Sequence, residues 1–334
     1  MEEKRPSIVP TLPRSLYLET TNRCDSQCQT CIRTFQTLEP LKDLTLAELK
    51  QVVEQFPVLD RVVLHGIGEP LLNRELFAMI AYLKAKEATV LFNSDAISLT
   101  SKRARRLIES GLDEYRVSMD AATRGTYQKI RGVDQFNRVV GNVRGLIELQ
   151  KGLKQQTPLV SLWFTAMKAN LGELPAFVRL AAEMGVPEVY VQRLVFYGQG
   201  LAVEEQSLHR ALQEREQKLI EEAEALAQTF QISFKASGAT TPLASLQGGD
   251  QGRRPWAGCQ RPWTLSYFTA NGNVLPCCIS PWTAKDYQNL VLGNAFKEDF
   301  EGIWNGERYR RFRETFESDV PPDPCRGCGL LWSL

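Results

Sequence analysis

Apolar positions along this chain follow two periods that take turns. Short apolar or alternating runs at Ser15–Glu19, Arg61–His65, Ala88–Asn93, Glu114–Ser118, Val160–Ala166 and Glu188–Leu194 predict strands. Between them apolar residues recur at helical spacing. Thr45 and Glu48 have the separation of a capping box and predict a helix over Leu46–Phe56. Gly111 is placed to stop a helix that begins near Ser101, and Gly185 to stop the one before Val186. The charged stretch Ala202–Gln228 predicts one long helix, with a strand after it at Ile232–Lys235.

Strands that alternate with helices predict an α/β protein built on a parallel sheet. Six such units make an open, partial (β/α)6 version of the TIM-like barrel. In barrels of that kind the chemistry sits at the C-terminal ends of the strands. The chemically notable residues fall there: a cysteine loop after the first strand, Gly66-Ile-Gly-Glu-Pro after the second, Ser118 and Asp120 at the fourth, and Gln192–Leu194 on the sixth. The expected organisation is an N-terminal extension over 1–14, the barrel over 15–237, a linker over 238–254 around the Gly-rich run 248–252, and a small cysteine-rich domain over 255–334.

Composition narrows the picture. The chain has 334 residues, 43% of them hydrophobic, enough to bury a substantial core. Its net charge of +1 gives no general attraction to nucleic acid or to an anionic membrane. The basic run Lys102–Arg106 fits the solvated face of a helix. The N-terminus lacks the apolar stretch of a signal peptide, and no run approaches the roughly 20 apolar residues of a membrane span. A cytoplasmic, reducing setting is expected, and it would leave the eight cysteines free as metal ligands.

Those cysteines fall into two sets. Cys24, Cys28 and Cys31 have the spacing C-x3-C-x2-C on one short loop. Four thiolates close the coordination of an iron–sulfur cluster, so three leave one iron open. Zinc sites with an open position tend to be catalytic, and we extend that rule to the cluster. Zinc itself is poorly served, because the chain has two histidines, His65 and His209. The second set, Cys259, Cys277, Cys325 and Cys328, supplies four thiolates and hence a closed cluster site, with a zinc ribbon as the alternative. The turn Asn271-Gly272-Asn273 predicts a hairpin between its first two members. Cys278 adjoins Cys277, and spacing alone does not say which of the two is the ligand. The other is a small buried residue or, in an epimerase, a hydrogen-atom donor.

The first spacing resembles that of the radical S-adenosylmethionine (SAM) superfamily. The second set resembles the auxiliary-cluster domains called SPASM and twitch. The shorter twitch form fits better, with one cluster site and six residues beyond Cys328. The resemblance implies two [4Fe–4S] clusters and SAM as cofactors, with the open iron holding SAM and reductive cleavage giving a 5′-deoxyadenosyl radical. It departs from the family at Thr30, where an aromatic residue usually precedes the third cysteine. Gly66-x-Gly68-Glu69-Pro70 resembles the family's GGEP motif, which implies contact with SAM's ammonium group. Ser118 and Asp120 are then expected on ribose hydroxyls, or Ser118 on the SAM carboxylate, with Arg131 on that carboxylate, Leu194 against adenine, and Asn93-Ser94 flanking the adenosine. Tyr190, Gln192, Arg193 and Tyr197 are expected at the substrate. His65 is expected to be structural.

The implied function is a radical SAM oxidoreductase. It would take hydrogen from a small, carbohydrate-like or other natural-product substrate, with the auxiliary cluster accepting an electron and a flavodoxin or ferredoxin supplying reductant. The rivals are a peptide maturase (crosslinking or epimerisation), a decarboxylase, and a non-catalytic iron–sulfur carrier. The cysteine loop begins at residue 24, so no leader-peptide recognition domain is expected ahead of it; that favours the small molecule, although a separate partner could supply recognition. The carrier reading leaves the Gly68-Glu69 and Ser118/Asp120 placements unexplained.

Overall fold

The computed structural model describes residues 5–248, 254–283, 286–326 and 328. Its frame is one ten-stranded sheet in the order β10-β9-β8-β1-β2-β3-β4-β5-β6-β7. The strands are β1 (Ser15–Leu18), β2 (Arg61–Val63), β3 (Thr89–Ser94), β4 (Glu114–Ser118), β5 (Leu159–Ala166), β6 (Glu188–Arg193), β7 (Ser233–Ala236), β8 (Leu265–Phe268), β9 (Asn273–Leu275) and β10 (Gly293–Asn294). From β8 through β1 to β7 all neighbours are parallel, while β9 and β10 run antiparallel. The fold is therefore α/β, with a parallel open barrel and a C-terminal cysteine-rich region.

Six units were expected and all six are present. The sheet is larger than that because β7 joins one edge and β8 pairs with β1 at the other, so the C-terminal region continues the barrel's own sheet. Its β8–β9 hairpin turns over residues 269–272, where Gly272 N–H donates to Thr269 O at 2.9 Å and Gly272 takes a φ of 83°.

Helices cover the outer face: α1 (Leu46–Val53), α2 (Leu76–Lys84), α3 (Ser101–Glu109), α4 (Arg124–Arg131), α5 (Phe136–Leu153), α6 (Leu174–Met184), α7 (Glu214–Thr229) and α8 (Pro242–Gln247). The capping box at α1 forms in both directions between Thr45 and Glu48. Gly132 ends α4 and Gly185 ends α6, both in the left-handed region.

Strand alternation divides the two faces. Tyr115 and Val117, or Val160, Leu162 and Phe164, are buried in the core under the helices. Their neighbours Glu114, Arg116, Ser118, Trp163 and Thr165 line the barrel's interior. That interior is an aqueous-type lumen with charged walls rather than a packed apolar core.

Two expectations change. Ala202–Gln228 is not one helix: a short 3-10 turn at Glu204–Gln206 is followed by loop, and α7 starts only at Glu214. The loop is held by tertiary contacts that outweigh helix propensity: Leu208 is buried, Arg210 N–H donates to Leu246 O at 2.9 Å, and Arg210 has φ 61°. The predicted linker contains α8, which rests on β6 and α7. Of its Gly-rich run 248–252, all but Gly248 lies outside the described residues.

Candidate cofactor and substrate cavity

The loop after β1 carries Cys24, Cys28 and Cys31, and all three line one cavity of about 600 Å³ that runs down the lumen. The loop is pinned by backbone bonds to the end of α4: Gln27 N–H to Arg131 O at 3.1 Å and Gln29 N–H to Ile130 O at 2.7 Å. Cys31 N–H donates to Cys28 O, which also accepts from Thr34 Oγ1 at 2.9 Å. Burial pushes the Cys28 thiol up to about 12, with Arg131 pulling the other way, and burial likewise raises Cys24 and Cys31. Free of metal, these thiols hold their protons, so loading the site releases them.

One residue that the sequence reading missed supports this loop. Asp95 is buried behind it; its Oδ2 accepts from Ser26 Oγ at 2.9 Å and lies 3.9 Å from Cys24 Sγ. Burial, then the charge of Asp25, raise Asp95 to about 6. Its position just after Asn93-Ser94 was the available signal.

The glycines of the turn after β2 are demanded by packing. A Cβ on Gly68 would sit 2.1 Å from Thr21 O and 2.6 Å from Arg23 O, and one on Gly66 would sit 2.2 Å from Glu19 Cγ. Glu69 N–H donates to Arg23 O at 2.8 Å, which locks the turn to the cysteine loop. The Glu69 carboxylate is 2% exposed and anchors the turn: it accepts from Leu71 N–H at 2.9 Å, Ser94 Oγ at 2.8 Å and Asp95 N–H at 2.7 Å. Burial and the adjacent Asp95 raise its pKa well above the ordinary carboxylate range. Gly66, Gly68 and Glu69 all border the cavity.

Ser118 and Asp120 part company at the end of β4. Ser118 faces the cavity. Asp120, at φ 62°, turns its carboxylate away to accept from Arg131 Nη1 at 2.9 Å and Thr165 N–H at 2.7 Å. Its oxygens are thus committed to protein partners rather than offered to a ribose. Arg131 lines the cavity, and its buried Nε has no partner among the described residues. Burial works against this guanidinium, but the negative charge of Cys28, once it is a thiolate, and of Asp120 outweighs it. A planar fork fixed at one nitrogen and open at another suits a carboxylate. Leu194 is buried on the wall, packed with Ile130 and Met167. The donor set of three thiols, one aimed guanidinium and an apolar patch fits an iron–sulfur cluster with SAM.

Farther down the lumen, Tyr190 and Gln192 line the cavity as expected, with Trp163 stacked on Tyr190 at 4.1 Å and Arg116 over the Trp163 ring at 4.7 Å. Arg193 does not join them. It follows Gln192 by one residue and so points to the opposite face, where Nε donates to Ser245 O at 2.9 Å. Tyr197 lies in the loop beyond β6 with its hydroxyl buried. His65 stacks on Trp282 at 5.5 Å and borders the cavity, held neutral because burial, then Arg116, lower its pKa to about 4.

The second cysteine set encloses a separate small cavity of about 20 Å³ walled by Cys259, Cys277, Cys325 and Cys328. Cys277 faces it and Cys278 faces the lumen, beside Tyr17. Four converging thiols are the donor set of a closed cluster. Among the described residues no helix is long and apolar enough to cross a membrane.

Residues 18–160 match the Radical SAM superfamily model, and residues 259–329 match SPASM, an iron–sulfur cluster-binding domain. Those domains bring [4Fe–4S] clusters and SAM as cofactors. A PqqA peptide cyclase of Gluconobacter oxydans is 24% identical over 96% of this chain and 84% of its own. An AdoMet-dependent heme synthase of Methanosarcina barkeri is 24% identical over 95% of this chain and 88% of its own. In fold, Streptococcus suis SuiB bound to S-adenosylmethionine superposes with a TM-score of 0.69 at 16% identity, over 97% of this chain and 72% of that one.

Proposed function

We propose that this chain, a radical SAM enzyme whose barrel is followed by a SPASM iron–sulfur domain, is an oxidoreductase acting on a small molecule held in the lumen. The observation that carries this reading is the junction of the two cavities. Adjacent residues Cys277 and Cys278 face the four-cysteine site and the lumen respectively, so a closed site abuts the space where substrate would sit. When bound, SAM and its cluster would supply a 5′-deoxyadenosyl radical and the second cluster a one-electron acceptor, so that a substrate H–C–O–H unit would give one hydrogen atom to the radical, one electron to the second cluster and one proton to solvent.

Cys24, Cys28 and Cys31 hold the first cluster and leave one iron to SAM. Arg131, steadied by Asp120, binds the SAM carboxylate. The Gly66–Pro70 turn carries the backbone that meets the ammonium, Ser118 offers its hydroxyl, and Leu194 packs against adenine. Cys259, Cys277, Cys325 and Cys328 hold the second cluster. Tyr17, Tyr190 and Gln192 present hydroxyl and amide groups to a polyhydroxylated substrate. A cavity of about 600 Å³ must take both SAM and the substrate's reacting carbon, and single-ligand sites span roughly 300–1,000 Å³. A flavodoxin or ferredoxin in the cytoplasm is the proposed reductant.

A peptide is the second reading. It is favoured by a relative named as a peptide cyclase. It is also favoured by the reach of the lumen to the strand starts at Arg61, Glu114 and Glu188, where a side chain could enter. The test is to incubate the reduced, anaerobically reconstituted protein with SAM and candidate polyols or peptides. A product two hydrogens lighter, formed one for one with 5′-deoxyadenosine from a polyol, supports the proposal. A product of unchanged mass in ordinary water that gains one deuterium in heavy water, or loss of carbon dioxide, would replace oxidation with epimerisation or decarboxylation.

A further inference from the structure

One side chain belongs to both cavities. Arg261 lies between Cys259 and β8 and is 8% exposed. It borders the lumen beside Cys278 and Tyr17, and it borders the small cavity with all four cysteines. The remaining wall of that small cavity is Pro262, Phe312, Phe316 and Pro324. Arg261 is thus the one charged side chain on that wall among the described residues.

The potential of a four-thiolate cluster depends on net charge, hydrogen bonding to sulfur and solvent exposure. Such a cluster is anionic, and an added electron makes it more so. Prolines and phenylalanines do nothing for that extra charge, since apolar walls cannot solvate it. A fixed cation at the wall does, and at short range in a dry site its effect is far larger than in water. We propose that Arg261 is a redox-positioning residue: it raises the reduction potential of the auxiliary cluster, and it does so from the side that faces the substrate. This rests on the reading that the four cysteines hold a [4Fe–4S] cluster.

The test is an EPR-monitored redox titration of the reconstituted full chain and of Arg261→Gln and Arg261→Lys. SAM is added to mark the signal of the N-terminal cluster. In Arg261→Gln the auxiliary cluster should be at least tenfold harder to reduce, about 59 mV lower for a one-electron couple. Arg261→Lys, which keeps the charge, should stay within about threefold of the parent, and the SAM-sensitive signal should not move in either. An unchanged auxiliary potential in Arg261→Gln overturns the proposal. Loss of the cluster from both variants also overturns it, because the residue would then hold the site together rather than tune it. A parent protein with only about four irons per chain would instead remove the auxiliary cluster, and both readings with it.

Discussion

The two cysteine sites are built on opposite plans. The first puts three thiols from one loop of eight residues, Cys24 to Cys31, on the wall of a cavity of about 600 Å³. The second gathers four thiols from three distant stretches around about 20 Å³ of space under phenylalanine and proline. A local loop leaves room on its open side; a long-range assembly leaves none. Room is what a reactive metal site needs, and enclosure is what an electron store needs. The difference also divides the supporting residues. Asp95, Glu69 and Asp120 spend their carboxylates on holding the first loop and Arg131, whereas the second site has apolar neighbours and one arginine.

The largest break in this comparison comes from removing one thiol at each site. Cys28→Ala should abolish SAM cleavage and lower iron from about eight to about four per chain. Cys325→Ala should lower iron by the same amount yet leave slow, substrate-independent release of 5′-deoxyadenosine, with oxidised product lost. If Cys325→Ala stops SAM cleavage as completely as Cys28→Ala does, the two sites do not have separate roles.

Next in size is Gly68→Ala. The added methyl group would meet two backbone carbonyls that cannot swing aside, at 2.1 and 2.6 Å. Overpacking of this kind costs about 1–3 kcal/mol or more. The strain falls on the first loop, so the variant should lose the N-terminal cluster preferentially and keep the auxiliary one. Iron counts and EPR of the variant check this. Equal loss of both clusters would mean that the turn supports the whole sheet instead.

Local features of both sites were legible in the sequence. C-x3-C-x2-C, the Gly-x-Gly-Glu-Pro turn and the βα alternation each lie within a few residues, and period and spacing carry them. Long-range partners were not. Nothing near Leu265–Phe268 announces that it will pair with Ser15–Leu18, because the two strands lie about 250 residues apart and their pairing is set by the tertiary packing of the sheet. Asp120 looked like a ribose ligand because its left-handed backbone, which turns the carboxylate from the cavity, has no signature in a Ser-x-Asp pair. Arg193 was misplaced by neglecting alternation, which Tyr190 and Gln192 obey.

A smaller effect sharpens the role of those spent carboxylates. Asp120→Asn keeps shape and backbone tolerance but weakens the charge-assisted bond to Arg131 Nη1. The guanidinium would be held less well toward the cavity. SAM should bind about tenfold more weakly, roughly 1.4 kcal/mol, with iron content unchanged. Isothermal titration of the reconstituted protein reads the affinity, and an iron assay reads the content. Unaltered SAM affinity would separate Arg131 from the SAM carboxylate.

The smallest effect sits on the seam between the two regions. Glu19, at the end of β1, accepts from Ile67 N–H at 2.8 Å on the first site's side, and from Tyr267 Oη at 2.9 Å and Ala270 N–H at 3.2 Å on the second's. Burial is the main cause that raises its pKa from 4.5 to about 7, against the pull of the Ile67 and Ala270 donors. A carboxyl raised on folding binds its proton more tightly in the native state. Its contribution is therefore fully present below about 4.5 and is lost as pH climbs to about 7. Stability of the parent should fall across that window by on the order of 1 kcal/mol from this group. Asp95 and Glu69 add falls of the same sign. Glu19→Gln cannot ionise, so it should be less stable than the parent at pH 5.5, where a hydrogen-bond acceptor is lost, and should close the gap by pH 8. Denaturant melts at the two pH values measure the difference. A gap that does not narrow would mean that Glu19 is already charged at pH 5.5, and that the seam is held by a carboxylate from the start.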